Sequence, residues 1–209
     1  TAWVGNSNYL NVTNQGIQQW TVPQTGTYRI QAFGAGCNGG IAYGANIQGD
    51  FTLTNGEIIH IVAGQVGSTR KGGGGGSFVV RTPYNTDASI LVIAGGGGGQ
   101  KNGTNGAGHG LITNSGGDGM TDVTNGAGGA GGTSGSGGGN DNQDWAGAGG
   151  GGFHGNGASS QSGGATSATS GGRKFKPTGY AVGGDDHGSY TRGDGGFGGG
   201  GAASWASAG

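Results

Sequence analysis

Glycine is distributed very unevenly along this chain, and its distribution restricts the available folds more than any other feature. Of the 61 glycines, 17 fall in residues 1–94 and 44 in residues 95–209, where bare glycine runs alternate with short stretches of Ser, Thr, Asn and Ala. Such segments bury little apolar surface and lose much conformational entropy on ordering. The second part of the chain therefore needs something other than a conventional apolar core in order to fold.

The spacing of the glycines indicates what that other device is. Several groups of glycines recur at every third position, the longest being Gly126, Gly129, Gly132, Gly135 and Gly138. Three residues complete one turn of a polyproline II helix, which has no internal hydrogen bonds. Where glycine lines the contact, such helices can approach until backbone N–H and C=O groups pair between them. The spacing predicts a bundle of polyglycine II helices over residues 95–209.

Two other structures are compatible with glycine-rich sequence. A flexible linker is the simplest alternative, because composition alone places such segments among low-complexity chains. A collagen triple helix is the second, but the triplet register breaks after a few repeats and no proline occurs between Pro83 and Pro177.

Residues 1–94 instead show the alternation and turn residues of an antiparallel β protein. Six strands are predicted, at 17–22, 27–33, 48–53, 58–63, 77–81 and 89–94. The turns at 23–26 and 54–57 are expected to close two hairpins, and Asn55-Gly56 favours the positive φ of tight turns. The last two strands lack polar alternation, which indicates burial on both faces.

Short strands at this spacing favour a β-sandwich or jelly roll with little or no α-helix. Four aromatic side chains are expected to fill the space between its sheets: Trp20, Phe33, Phe51 and Phe78. We therefore predict sandwich strands over 1–94 and a glycine bundle over 95–209, packed together as one unit.

Charge and hydropathy exclude several classes of partner. The formal net charge is −1, from 9 basic and 10 acidic residues, so no overall field would recruit nucleic acid. No stretch approaches the roughly 20 apolar residues that span a bilayer, so we expect no direct membrane insertion. The single cysteine, Cys37, excludes an internal disulfide framework and is expected to be a small, semi-buried residue.

No arrangement of residues indicates catalysis. Glycines follow the strand that ends at Ala94, as in a nucleotide-binding loop, but no Gly-Lys-Ser/Thr follows and no helix pattern opens. The cluster Asp185-Asp186-His187 is typical of a solvated loop, and no nucleophile elbow is present. We expect no enzymatic activity, cofactor or metal site.

The candidate contact residues lie in the glycine-rich part. The only basic cluster is Arg173, Lys174, Phe175 and Lys176. It either contacts a sugar, a carboxylate or another partner, or forms a surface loop that braces the bundle. Trp145 and Trp205, like Phe153, Phe175 and Phe197, either join the bundle to the β-strands or form an adhesive or subunit-contact patch.

Asn11-Val12-Thr13 and Asn102-Gly103-Thr104 match the N-glycosylation sequon. They predict modification of Asn11 and Asn102 if the protein is secreted by a eukaryotic cell.

Several segments occur in the order of a known domain family: 21–28 (TVPQTGTY), 49–57 (GDFTLTNGE), 61–65 (IVAGQ), 72–80 (GGGGGSFVV), 92–99 (VIAGGGGG) and 193–201 (GDGGFGGGG). With them the chain resembles the glycine-rich extracellular domain of anaplastic lymphoma kinase and leukocyte tyrosine kinase, which also occurs in microbial and invertebrate surface proteins. The resemblance implies a tumour-necrosis-factor-like β-sandwich with an inserted polyglycine II bundle. This chain differs from the receptors in being poor in cysteine.

These features together predict an extracellular or cell-surface structural or adhesion module, including a subunit of a surface fibre. Its expected partners are other copies of itself or a surface protein or glycan. A ligand-binding receptor ectodomain is the alternative that the resemblance implies. An ice-binding protein is a second alternative, although Thr does not recur at regular triplet spacing.

Overall fold

The computed structural model describes residues 8–14, 16–38, 42–68, 72–84, 86–99, 108–119, 129–140, 147–159, 171–175, 183–184, 195 and 199–201. Over these residues the protein is mainly β, with antiparallel sheets and no helix beyond one 3-10 turn, Asp87–Ser89. The strands are β1 (Leu10–Asn14), β2 (Ile17–Thr21), β3 (Gly26–Phe33), β4 (Asn46–Leu53), β5 (Ile58–Val62), β6 (Ser77–Arg81) and β7 (Ile90–Ala94). The six predicted strands are confirmed, whereas β1 was not predicted.

The strands form two antiparallel sheets. Among the described residues, one sheet has five strands in the order β1-β2-β5-β6-β7, and the other consists of β3 and β4. The two predicted hairpins are therefore wrong, because β2 pairs with β5, and β3 pairs with β4. The turns after β2 and after β4 both carry the chain from one sheet to the other.

These two crossing turns lie side by side and hold each other. The Asn55 N–H donates to Thr25 Oγ1 at 2.9 Å, and Asn55 Nδ2 donates to the Pro23 carbonyl at 2.9 Å. The Gly56 N–H donates to the Val22 carbonyl at 2.8 Å, and Gly56 has φ +80, as its Asn-Gly context predicts. A turn with a positive φ can therefore connect two sheets as well as it can close a hairpin.

An apolar cluster joins the two sheets. Along β3, Tyr28, Ile30 and Ala32 point into this cluster, as the alternation predicts, and Val79 and Val92 meet them from the five-stranded sheet. Trp20 and Phe51 pack against it as expected, but Phe33 is 58% exposed. Phe33 ends β3 on the face that points away from the cluster, so its prediction as a core residue is wrong.

A second apolar cluster covers the opposite face of the five-stranded sheet. Phe78 and Val80 of β6 lie here, together with Phe153 and Phe175 from the glycine-rich part. Because Val79 of the same strand faces the first cluster, the prediction that this strand is buried on both faces is confirmed. Phe78, however, does not lie between the two sheets.

The glycine segments pair through their backbones in more than two directions. The consecutive amides of Gly73, Gly74 and Gly75 donate to the carbonyls of Gly201, Gly97 and Gln65, each in a different segment, at 3.1, 2.8 and 2.9 Å. A β-strand pairs only at its two edges. Since Ala35 and Tyr43 also bond to glycines beyond residue 94, the network draws on both parts of the chain.

The segments approach so closely that side chains are excluded. A Cβ added at Gly74 would lie within 3.0 Å of the Ala35 and Gly36 carbonyl oxygens, and one added at Gly96 would meet the Gly74 carbonyl as closely. The bonded separations of about 2.8 Å between Gly74 and Gly97 depend on the absence of these atoms. Glycine here allows tight packing between backbones.

Candidate functional site

The predicted basic cluster is built into the glycine network. The Lys174 N–H donates to Asn156 Oδ1 at 2.9 Å, and the Phe175 N–H donates to the Gly152 carbonyl at 3.0 Å. Arg173 is exposed, and its carbonyl oxygen packs closely against Gly151, at a position where a Cβ on Gly151 would clash. The backbone of this cluster therefore braces the neighbouring segments, while the Arg173 side chain faces solvent.

Phe175 is buried and fastens the glycine segments to the five-stranded sheet. Its ring stacks on Phe78 with centroids 5.1 Å apart and on Phe153 at 5.5 Å. Only 4% of its surface is accessible, so the prediction that Phe175 contacts a partner is corrected. Of the two roles proposed for the aromatic residues, Phe153 and Phe175 have the joining role.

The other predicted contact residues are only partly covered by the structure. Lys176, Trp145 and Trp205, together with the sequon residue Asn102, lie outside the described residues. Asn11 is exposed on β1, at the edge of the five-stranded sheet, where it is paired with Gln19. Its position leaves the amide side chain open to modification.

A cleft of about 740 Å³ lies over the second apolar cluster. Phe78, Ile90 and Ile93 line it from the sheet, and Leu111 and Ile112 line it from the segment 108–119. Ile112 is 79% exposed, and the remaining wall is largely glycine backbone. Such a cleft offers an apolar floor with hydrogen-bonding walls. In the sequence, the two adjacent aliphatic residues Leu111 and Ile112 within a glycine-rich stretch are the signal for this cleft.

A contact between a histidine and an aspartate joins two residues that line this cleft. His154 Nε2 lies 2.5 Å from Asp87 Oδ1, which connects the glycine segments to the 3-10 turn that precedes β7. Both side chains are solvent-accessible, and exposed pairs of this kind contribute little net stability. The contact therefore joins two segments that line the cleft without adding much stability.

A second exposed feature is an aromatic stack formed by Tyr43 and His109. The ring centroids are 5.6 Å apart and the planes are 7° from parallel. Tyr43 is 64% exposed, although most large rings are at least partly buried. Sequence reasoning did not single out either residue, because they lie 66 positions apart and each is an isolated ring among glycines.

The described residues offer little for reaction chemistry. Among them, no three His, Cys, Asp or Glu side chains lie close enough to hold a metal ion. His60 is buried, which lowers its pKa, and it lies 3.1 Å from Thr82 Oγ1 beneath the edge of Tyr84. Cys37 is buried too. In the part of the chain that the structure describes, no helix has the length and hydropathy to cross a bilayer.

No family model matches the sequence. The resemblance to the glycine-rich extracellular domains is therefore a prediction based on the sequence segments given above.

Proposed function

We propose that this chain is an extracellular structural or adhesion module whose glycine segments make it a rigid support. The observation that carries the proposal is that these segments pack backbone against backbone and are fastened to the sheet by Phe153 and Phe175. A body held in this way presents its outer residues in one arrangement. A preordered surface loses less entropy when it binds a partner.

The hydrogen-bond directions support polyglycine II helices as the form of the segments. Three successive amides at residues 73–75 point to three different neighbours, as a helix with three residues per turn requires. The shared cluster between the two sheets supports the accompanying β-sandwich of tumour-necrosis-factor-like type. We thus propose polyglycine II helices, this type of sandwich, an extracellular location and a role in a fibre.

The exposed apolar residues support adhesion or self-association as the activity. Leu111 and Ile112 are adjacent exposed aliphatic residues, and both line the cleft. Exposed aliphatic residues grouped at one site are typical of contact surfaces. We expect the surface around Leu111 and Ile112 to contact another copy of the chain or a surface partner.

The test compares Ile112→Ser with Val12→Ser, which replaces an aliphatic residue that is 61% exposed on the edge strand β1. Self-association is measured by sedimentation velocity, and adhesion by binding of labelled protein to intact microbial and animal cells. We expect the wild type to associate or adhere, Ile112→Ser to weaken this and Val12→Ser to leave it unchanged. A wild-type protein that is monomeric at all concentrations and binds no cell would refute the proposal.

A further inference from the structure

The geometry points to a second site: the stack of Tyr43 and His109 is the aromatic floor of a binding site for a neutral oligosaccharide. This inference rests on the proposed adhesion function and names the chemical class of one partner. It concerns the outward face of the β3–β4 sheet and the neighbouring residues 42–45, and His109 also lines the cleft described above.

The stack is fixed in place by the backbone. The Tyr43 N–H donates to His109 Nδ1 at 3.1 Å, and the Gly110 N–H donates to the Tyr43 carbonyl at 2.8 Å. Gly44 and Gly110 have backbone atoms within 3.0 Å of where a Cβ would stand, so the two segments that carry the rings pack closely against their neighbours. Hydrogen bonds and close packing therefore position the two backbones, although the rings lie at the surface.

The bond to Nδ1 also determines what the imidazole offers to a ligand. A ring nitrogen that accepts a hydrogen bond carries no proton, so the neutral ring bears its proton on Nε2. His109 thus presents a donor at the edge of the stack. A flat ring face beside a fixed donor suits a molecule that has both a C–H face and hydroxyl groups.

Planar amides continue this surface along the sheet. Asn46 lies three residues after Tyr43, and Gln31 Nε2 donates to Asn46 Oδ1 at 2.9 Å on the outward face. This bond leaves the Gln31 carbonyl oxygen and the Asn46 amide protons for further hydrogen bonds. Phe33, paired with Asn46 across the strands, adds a second exposed ring. The outward face of the β3–β4 sheet therefore carries an exposed ring beside two amide side chains.

The charges on this face are compensated, which favours a neutral ligand. Arg29 donates to both carboxylate oxygens of Asp50 at 2.8 Å, and these hydrogen bonds lower the pKa of Asp50 and raise that of Arg29. The guanidinium is thus already paired with a carboxylate and is not free to bind a phosphate or sulfate. Sugar rings match this surface, because their C–H faces stack on aromatic rings and their hydroxyls bond to amides.

The experiment screens the whole protein on an array of neutral, sialylated and sulfated oligosaccharides, then titrates the best neutral binder by calorimetry. Tyr43→Ala is compared with Tyr43→Phe, which keeps the ring, and with Val12→Ala on β1. We expect neutral glycans to bind, Tyr43→Ala to weaken the affinity at least tenfold, and the other two variants to stay within about twofold. Thermal unfolding verifies that Tyr43→Ala is folded, and chemical-shift changes in the Tyr43 and His109 ring resonances of the wild type on addition of the sugar locate it independently.

Either an array that binds only charged glycans or an affinity unchanged by Tyr43→Ala would overturn the inference. Cell adhesion or self-association without any glycan binding would refute this site alone. A wild-type protein that shows no glycan binding, no cell adhesion and no self-association would refute the proposed function as well.

Discussion

Alanine at Gly96 is expected to destabilise the protein far more than alanine at the adjacent Gly95. The two positions share one segment and differ in what surrounds them. A Cβ at Gly95 meets nothing within 4 Å, whereas a Cβ at Gly96 lies within 3.0 Å of the Gly74 carbonyl and of the Gly75 carbonyl carbon. The pair of variants therefore separates the packing role of glycine from its effect on chain entropy.

The magnitude follows from the contacts. A Cβ at Gly96 would lie 2.0 Å from the Gly74 carbonyl oxygen, and ordinary van der Waals contact begins near 3.4 Å, so the two segments would have to separate by about 1.4 Å. That movement breaks the 2.8 Å bond from the Gly74 N–H to the Gly97 carbonyl. Overpacking costs about 1–3 kcal/mol and an unpaired buried amide a similar amount, so we expect a loss of about 2–6 kcal/mol. Gly95→Ala should be neutral or stabilising by up to about 1 kcal/mol.

Differential scanning calorimetry measures both variants directly. For a chain of this size the expected loss lowers the Tm by at least about 4 °C for Gly96→Ala, and Gly95→Ala should match or exceed the wild type. Equal Tm values for the two variants would contradict the packing described here and favour a flexible linker instead.

Three further predictions concern other parts of the molecule. Phe175→Ala should lower the free energy of unfolding in urea by about 3–5 kcal/mol because it empties the stack beneath the sheet, whereas the exposed control Phe33→Ala should change it by less than about 0.5 kcal/mol. Gly56→Ala should cost about 1–2 kcal/mol in the same assay through its positive φ alone, since no atom lies within 4 Å, and Gly56→Asn should recover part of the loss. Because burial lowers the pKa of His60, the unfolded state binds more protons below pH 6.5, so stability should fall as the pH drops from 6.5 towards the lowered pKa. Urea titrations at several pH values should show a shallower decline in His60→Gln, and an identical slope would contradict this assignment.

Six of the described strands, all but β1, could be predicted because local sequence indicates them. The apolar run at 78–80, with no polar alternation, predicts a strand with two covered faces, and Phe78 and Val79 do face opposite clusters. The path between strands could not be predicted in this way. Asn55-Gly56 satisfies a positive φ whether the chain doubles back or crosses to another sheet, so the choice depends on long-range packing.

The candidate site was less accessible from sequence for a related reason. Phe175 lies among cationic residues, so the sequence left open whether its ring joins the bundle to the strands or contacts a partner, and the stacking of Phe153 and Phe78 on it decides for the first. Tyr43 and His109 likewise become a site only when two glycine segments meet. Glycine spacing indicates that segments pack together, but nearly identical segments carry little information about which ones become neighbours.

The bond from the Gly73 amide to the Gly201 carbonyl has a consequence for synthesis of the chain. Residues 72–76 are synthesised long before Gly201, so the Gly73 amide cannot form this bond until Gly201 has been made. Closing so long a loop is entropically costly and slows folding. During that interval the same glycine run of a neighbouring nascent chain competes for the Gly201 carbonyl. Expression at low temperature and low ribosome loading should therefore raise the yield of correctly closed protein.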